Sequence, residues 1–336
     1  MTEQENVMEA TVWTDAEKTP LVGRVLERVG GAIRTIGIGG PRSSVVDRFA
    51  RQRECPLLDD LRQMVIDHPA AFVLVASTQD TTPEDLALAL SQGATIVAVE
   101  PVAASFDELK LLTGQASRSA APARATPGCI EPAASFLRGT GWTRAAEPTD
   151  VLGDPRLIRF TSTGPRNERS LFARLHEAWE VLLRLGPVPE AIDASLVGPL
   201  AEVPQDARAL GGHMLAHARI GARAAAAVMV SDATGCRERS LHMIGDEASV
   251  RVDDFDYDLS DADGRLLDSY HRETRGSDFA DLVADDWSRL IDRGPIVAQD
   301  TPPPDQVLAC CLACQLSART SEPESPGTFL TMRGRG

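Results

Sequence analysis

Residues 71–76 have the sequence Ala-Phe-Val-Leu-Val-Ala, and residues 94–99 have the sequence Ala-Thr-Ile-Val-Ala-Val. These two uninterrupted apolar runs are typical of strands buried on both faces, as in a parallel sheet. Between them, Thr-Pro-Glu-Asp at 82–85 predicts the start of a helix, which Gly93 ends. The strand–helix–strand order therefore predicts two parallel strands joined by a right-handed crossover.

The same alternation extends towards the N-terminus. Residues 9–13 and 32–38 predict two further strands, and helices are expected after each of them. Two more helices are expected, one at 57–66 and one from 105 to about 112. Strands and helices alternating in this way predict an α/β fold with a Rossmann-like, doubly wound parallel sheet. Ligands of such sheets bind at the carboxyl ends of the strands.

The second half of the sequence has a different pattern. A strand at 156–163 and a helix at 168–185 are followed by short alternating segments separated by tight turns. The predicted strands are 191–196, 212–220, 224–230, 237–244, 248–252 and 256–258, and the closing helices are 279–291 and 304–318. This order predicts a C-terminal α+β domain with a large, mostly antiparallel open sheet.

We place the domain division in the Ala-, Ser-, Arg- and Pro-rich segment 114–127, where the chain crosses between domains. The predicted domains are residues 1–122 and 123–336, and the last helix is a candidate to pack back on the first domain. A Pro- and Gly-rich tail is expected after that helix.

Composition limits the classes of partner. The 336 residues carry a formal net charge of −15, which disfavours nucleic acid and anionic membrane surfaces. No run approaches 18 apolar residues, and the acidic N-terminus has no apolar h-region. Six cysteines in so long a chain do not indicate a disulfide framework. We therefore expect a cytoplasmic protein without a metal site.

Three stretches together carry a resemblance to a known family. They are residues 67–103, with the two apolar runs and the end Val-Glu-Pro, residues 152–160, and residues 290–320. In this order they resemble the glucose-fructose oxidoreductase / inositol dehydrogenase (Gfo/Idh/MocA) family. The resemblance implies a Rossmann-type domain for NAD or NADP, a sugar-like or polyol substrate and a homo-oligomer. It leaves open that no cofactor is bound.

The expected cofactor edge departs from the family pattern. There, the first strand leads into a glycine-rich turn whose backbone approaches the diphosphate. Here it leads into residues 14–19, Thr-Asp-Ala-Glu-Lys-Thr, so Thr14 and Asp15 replace glycines and two carboxylates oppose a phosphate. After the second strand, Arg42 could meet an adenosine 2′-phosphate. Ser77 and Thr78 follow the third strand of the family pattern and are also candidate cofactor contacts.

The catalytic positions are also altered. The family's Glu-Lys-Pro motif aligns with Val99-Glu100-Pro101, so its catalytic lysine is replaced by Glu100, beside the candidate cofactor contact Pro101. A buried Glu100 could act as a base, whereas a solvated or capping role is the simpler interpretation. The family's histidine aligns with His176, the candidate proton acceptor, but its partner acid four residues earlier is Phe172.

Three hypotheses follow. The first is a divergent family member with degraded cofactor and catalytic motifs, which binds a sugar- or polyol-like ligand or acts as a partner subunit. The second is an active NAD(P)-dependent oxidoreductase in which His176 accepts the proton. The third is an assembly protein that dimerises through its open sheet.

Overall fold

The computed structural model describes residues 7–118, 128–146, 151–221, 224–272, 278–294 and 301–333. The chain forms two compact units, the first comprising Met1–Ala134 and Ser277–Val297 and the second Ser135–Gly276 and Ala298–Gly336. Part of the predicted crossing segment, residues 119–127, lies outside the described residues.

The first unit contains a parallel sheet of six strands in the order β3-β2-β1-β4-β5-β6. The strands are β1 (Met8–Trp13), β2 (Ile33–Gly39), β3 (Leu57–Leu58), β4 (Phe72–Val75), β5 (Thr95–Ala98) and β6 (Cys129–Pro132). The helices are α1 (Thr19–Val29), α2 (Ser44–Gln52), α3 (Leu61–Asp67), α4 (Pro83–Ser91), α5 (Phe106–Arg118) and, from late in the chain, α8 (Phe279–Arg293). All five pairings are parallel, which confirms the predicted doubly wound sheet.

Apolar burial explains why β4 and β5 lie inside this sheet. Each residue of β4 is buried, and Leu74, Val75, Ile96 and Val97 are fully covered. Helix α8 adds to the same core, because Trp287 packs edge-on against Phe72 with ring centroids 6.2 Å apart.

One local prediction for this unit was wrong, and one strand was missed. The segment predicted as a helix at 57–66 begins instead as β3, and α3 starts only at Leu61. The reason is local: the Asp60 side chain accepts the N–H of Gln63 and caps the helix there. Strand β6 was not predicted, because a four-residue segment ending in Pro132 carries little strand signal. Its pairing with β5 places residues 129–132 in the first sheet, beyond a division at residue 122.

The second unit contains a sheet of eight strands in the order β14-β13-β12-β11-β7-β10-β9-β8. They are β7 (Pro155–Pro165), β8 (Ile192–Val197), β9 (His213–Ile220), β10 (Ala224–Ser231), β11 (Ala233–Gly245), β12 (Ala248–Asp253), β13 (Tyr257–Asp261) and β14 (Leu266–Tyr270). The helices are α6 (Thr140–Ala145), α7 (Leu171–Leu185), α9 (Pro304–Thr320) and α10 (Pro326–Arg333).

This sheet is mostly antiparallel, as predicted, but it is not a plain meander. Strand β7 lies between β10 and β11 and runs parallel to β10, with Phe160 opposite Val228. A parallel pair needs a long crossover, and the chain between the two strands, which includes α7, supplies it. Helix α7 covers one face of the sheet; Phe160, Val228 and Leu241 are buried on that face.

Smaller differences occur at the edges. Strand β14 was not predicted. It is an edge strand in which Leu266 and Leu267 are exposed, so its sequence lacks the alternation of buried and exposed residues. The expected Pro- and Gly-rich tail includes helix α10. In the part of the chain that is described, none of the helices is both long and apolar enough to span a membrane.

Candidate functional site

The carboxyl ends of the parallel strands bring most of the predicted site residues of the first unit to one edge of its sheet. Thr14 follows β1, Ser77 and Thr78 follow β4, and Glu100 and Pro101 follow β5. Backbone hydrogen bonds extend the strands to this edge: Thr14 N–H donates to Gly39 O (2.9 Å), Ala76 N–H to Trp13 O (2.9 Å) and Val99 N–H to Val75 O (2.9 Å).

A buried ion pair dominates this edge. Lys18 Nζ lies 2.6 Å from Glu100 Oε1, and the two side chains are only 7% and 8% exposed. The pair joins the loop after β1 to the loop after β5, two strands that β4 separates. Glu100 is therefore not solvated, and the prediction of a solvated side chain was wrong. Lys18 was not among the predicted site residues.

In the loop between β1 and α1, Asp15 accepts hydrogen bonds from groups of the same loop and of the first residue of α1. Asp15 Oδ1 accepts the N–H of Lys18 (2.8 Å), and Asp15 O accepts both the N–H (3.0 Å) and the hydroxyl (2.6 Å) of Thr19. Pro20, in the first turn of α1, has no N–H to offer. The N-terminus of α1 is the place where this type of fold presents donors to a diphosphate, and here few of them remain.

Gly39, the last residue of β2, and Gly40 after it allow close packing of the chain and do not form a phosphate-binding turn. Gly40 has φ +157°, and a Cβ there would lie 1.8 Å from Thr14 O. A Cβ on Gly39 would lie 2.8 Å from both Leu58 O and the Trp13 ring. Both positions must be glycine because the backbones of neighbouring strand ends approach so closely. The space that a cofactor would need beside a glycine is filled by the chain itself.

These observations decide how well a nicotinamide dinucleotide fits the first unit. Thr14 takes the place of a glycine, two N–H groups at the start of α1 are bonded to Asp15, and the lysine of the family pattern is replaced by Glu100, whose charge is paired with Lys18. The residues present do not fit the diphosphate of NAD or NADP.

The other residues predicted to contact a cofactor at this edge form hydrogen bonds or ion pairs with other residues of the first unit. Ser77 is buried, and its hydroxyl accepts the N–H of Gln79 (3.1 Å). Thr78 O accepts the hydroxyl of Thr81 (2.9 Å). The Arg42 side chain is 89% exposed and pairs with the exposed Asp59 at 2.6 Å, and this contact lowers the pKa of Asp59.

The candidate proton acceptor, His176, lies on α7 in the second unit. Ser170 caps this helix by accepting the N–H of Ala173 (3.1 Å). The half-buried imidazole packs edge-on against Phe172, with ring centroids 6.3 Å apart. Burial, with a smaller effect of the Arg169 charge, lowers the pKa of His176 to about 4. The ring is therefore neutral at pH 7, and protonating it is costly.

A charge network lies next to this histidine. Glu177 pairs with Arg169 (3.0 Å) and Arg239 (2.8 Å), and Arg239 also pairs with Asp254 (2.5 Å). All four side chains are 6% exposed or less. Burial alone would raise the pKa of Glu177, but the two arginines hold it below its usual range. The network fixes the position of α7 on the sheet.

Sequence analysis missed Lys18 and this network. A lysine in the loop between β1 and α1, on the edge where Glu100 was expected, was the available signal for the ion pair. The network had weaker signals, because Arg239 on β11 and Asp254, which follows β12, are remote from α7 in sequence.

The three cysteines of α9 lie in the core. Cys310, Cys311 and Cys314 are buried, and Trp179 Nε1–H donates to Cys314 Sγ (3.2 Å). Burial raises the pKa of Cys314 to about 12. Among the described residues, no group of three or more His, Cys, Asp or Glu side chains could hold a metal ion.

Comparison with known proteins supports the fold and gives no sequence relative. No family model and no curated protein matches this chain. Among solved structures, it resembles an Agrobacterium radiobacter oxidoreductase in complex with NAD+, L-tartaric acid and magnesium, with a TM-score of 0.70 and 13% identity over 96% of this chain and 100% of that one.

Two dehydrogenases are similar at the same level. A UDP-N-acetylglucosamine 3-dehydrogenase from Acidithiobacillus ferrooxidans has a TM-score of 0.68 and 14% identity over 93% of this chain and 98% of that one. A Chromobacterium violaceum dehydrogenase in complex with NADH and UDP-GlcNAcA has a TM-score of 0.65 and 13% identity over 97% of each chain. At the level of its fold, the chain is therefore similar to the Gfo/Idh/MocA-type oxidoreductases.

Proposed function

We propose that this chain is a divergent Gfo/Idh/MocA-type protein that has lost nicotinamide-dinucleotide binding and works without redox catalysis. It acts as a binder of a sugar- or polyol-like ligand or as a partner subunit, in the cytoplasm and as a homo-oligomer. The ligand class is taken from the resemblance and from two structural neighbours, one a UDP-N-acetylglucosamine 3-dehydrogenase and the other a dehydrogenase in complex with UDP-GlcNAcA.

The observation that carries the proposal is the buried Lys18–Glu100 pair. A dinucleotide would require the loop after β1 to open and would require Glu100 to face a cofactor without its lysine partner. Breaking a buried ion pair costs about 3–5 kcal/mol, which a ligand would have to repay before gaining any affinity. That cost alone weakens binding by a factor of roughly 10²–10⁴.

The chemistry at the second unit supports the same proposal. His176 is neutral and so could accept a proton, which favours the alternative of an active oxidoreductase. However, burial and Arg169 disfavour its protonated form, and Phe172 stands where the family has an acid. A proton acceptor that resists charging and lacks a carboxylate partner is a weak base for hydroxyl oxidation.

Cofactor titration tests the proposal directly. We expect isothermal titration of the full chain with NAD+, NADH, NADP+ and NADPH to show no saturable heat. Saturable binding of any of them at micromolar concentration would refute the loss of cofactor binding and favour the active enzyme with His176 as acceptor.

A thermal-shift screen with sugars, polyols and sugar acids separates the two non-catalytic roles. A saturable rise in Tm with one of these compounds supports the ligand-binding role. A flat response across the screen favours the partner-subunit role.

A further inference from the structure

The face of the eight-stranded sheet that points away from α7 carries a row of three basic side chains. Arg159 on β7 lies opposite His242 on β11, which lies opposite Arg251 on β12. Directly opposite residues on neighbouring strands have Cβ atoms about 5 Å apart. Both arginines are exposed, and the histidine is half-buried. We call these three residues the basic row and this side of the sheet the open face.

The open face has the size and composition of a subunit interface. The large apolar side chains on it are between 36% and 71% exposed, and they are Val197, Leu215, Met229 and Ile244. Its eight strands lie about 4.8 Å apart, and with about three open-face residues on each strand the face covers roughly 800 Å². Each partner in a stable interface buries about the same area. Such a face is expected to be covered in the assembled protein.

A second copy of this chain fits the open face by charge, and this step rests on the homo-oligomer proposed above. The row that contains the basic row begins at Asp193 on β8 and continues through His217 on β9. A two-fold axis along the strands, between β10 and β7, places Asp193 of one copy opposite Arg251 of the other. The same axis places His217 opposite His242. Neither arginine of the basic row then faces an arginine of the other copy, so the two faces are complementary while the histidines are neutral.

His242 has a cation on each side. Burial, and the charges of Arg159 and Arg251, lower the pKa of its ring. Asp253 lies diagonally across from it on β12, but Asp253 Oδ1 accepts the backbone N–H groups of residues 255 and 256 at 2.9 and 2.8 Å. The group that meets His242 from the other copy is His217, a further base. A proton added to His242 therefore makes three adjacent cations in one row.

We propose that protonation of His242 dissociates the homo-oligomer, so that assembly through the open face is controlled by pH. With a neutral ring, the two faces pack and Asp193 of each copy meets Arg251 of the other. With a charged ring, each face brings an additional cation into the interface, where it meets His217. Like charges held together across an interface disfavour association.

The direction of the effect follows from the two environments of the ring. In a free copy the half-buried imidazole is in contact with water, which solvates its charged form. In the assembled protein that water is excluded, so the pKa of His242 falls further below its ordinary 6.5. The free copy therefore binds the proton more readily, and a fall in pH below 6.5 favours free copies.

The test is sedimentation of the full chain at pH 8 and at pH 5. If assembly lowers the pKa of each ring by about one unit, the dissociation constant of a dimer should rise by up to about 100-fold between these values. The variant His242→Gln is neutral at both and should stay assembled at pH 5. The variant His242→Lys is charged at both and should already be dissociated at pH 8.

The matched control is His68→Gln, which removes a histidine of the first unit and should behave as the parent does. Circular dichroism of each variant at both pH values shows that a dissociated chain is still folded. The proposal is overturned if the parent is equally assembled at pH 5 and pH 8, or if His242→Gln dissociates as the parent does; the homo-oligomer itself would stand in both cases. A parent that is monomeric at pH 8 would overturn this proposal and the homo-oligomer together.

Discussion

The substitution Glu100→Gln removes the carboxylate from the buried pair and leaves the Lys18 ammonium without it. Both side chains are at most 8% exposed, so water cannot take the place of the lost partner. Removing one member of a buried ion pair costs about 3–5 kcal/mol. At about 2–4 °C per kcal/mol for a chain segment of this size, the expected fall in Tm is about 6–20 °C.

The assay is thermal and urea unfolding followed by circular dichroism at pH 7. The double variant Lys18→Met/Glu100→Met replaces the pair by apolar side chains of similar volume and should recover most of the lost stability. Asp59→Asn breaks the exposed pair with Arg42 and should leave Tm unchanged, which makes it the matched control. If Glu100→Gln unfolds at the same temperature as the parent, the pair is not desolvated and the argument against a cofactor at this edge fails.

Three other predictions concern the second unit. His176 has a folded-state pKa of about 4, below its ordinary 6.5, so the unfolded chain binds the extra proton first and stability should fall from pH 6.5 towards pH 4. The fall should be at most about 3 kcal/mol and absent from His176→Asn, as urea midpoints at several pH values would show. Glu177→Gln leaves two buried arginines without their shared carboxylate, so it should lower the free energy of unfolding by about 3–5 kcal/mol. If urea unfolding shows a loss no larger than that of a surface substitution, the network does not stabilise the fold. The exposed Cys236 should react with iodoacetamide in the native protein, whereas the three buried thiols of α9 should react only in denaturant. Mass spectrometry of the labelled peptides measures this, and labelling of an α9 thiol in the native protein would contradict the prediction.

Local sequence patterns predicted the secondary structure correctly where the burial of apolar side chains determines it. The runs at 71–76 and 94–99 predicted β4 and β5 because a strand covered on both faces can hold only apolar side chains. The start of α4 was predicted from Thr82 and the residues after it, whereas the helix predicted from residue 168 begins only at Leu171, after the Ser170 cap. Short or exposed segments such as β6 and β14 lacked this signal, so their strand structure depends on pairing with a neighbour.

The composition of the site followed from sequence, but its interactions did not. The sequence by itself determined that the strand ends carry Thr14, Ser77 and Glu100 instead of a glycine turn and a catalytic lysine. Only the tertiary structure decided that Lys18, 82 residues from Glu100 along the chain, supplies the opposite charge. It likewise decided that Arg239 and Asp254 join the charge network around Glu177. The physical reason is that hydrophobic periodicity acts over a few residues, whereas ion pairing depends on which strands become neighbours, and strand order is set by the packing of the whole sheet.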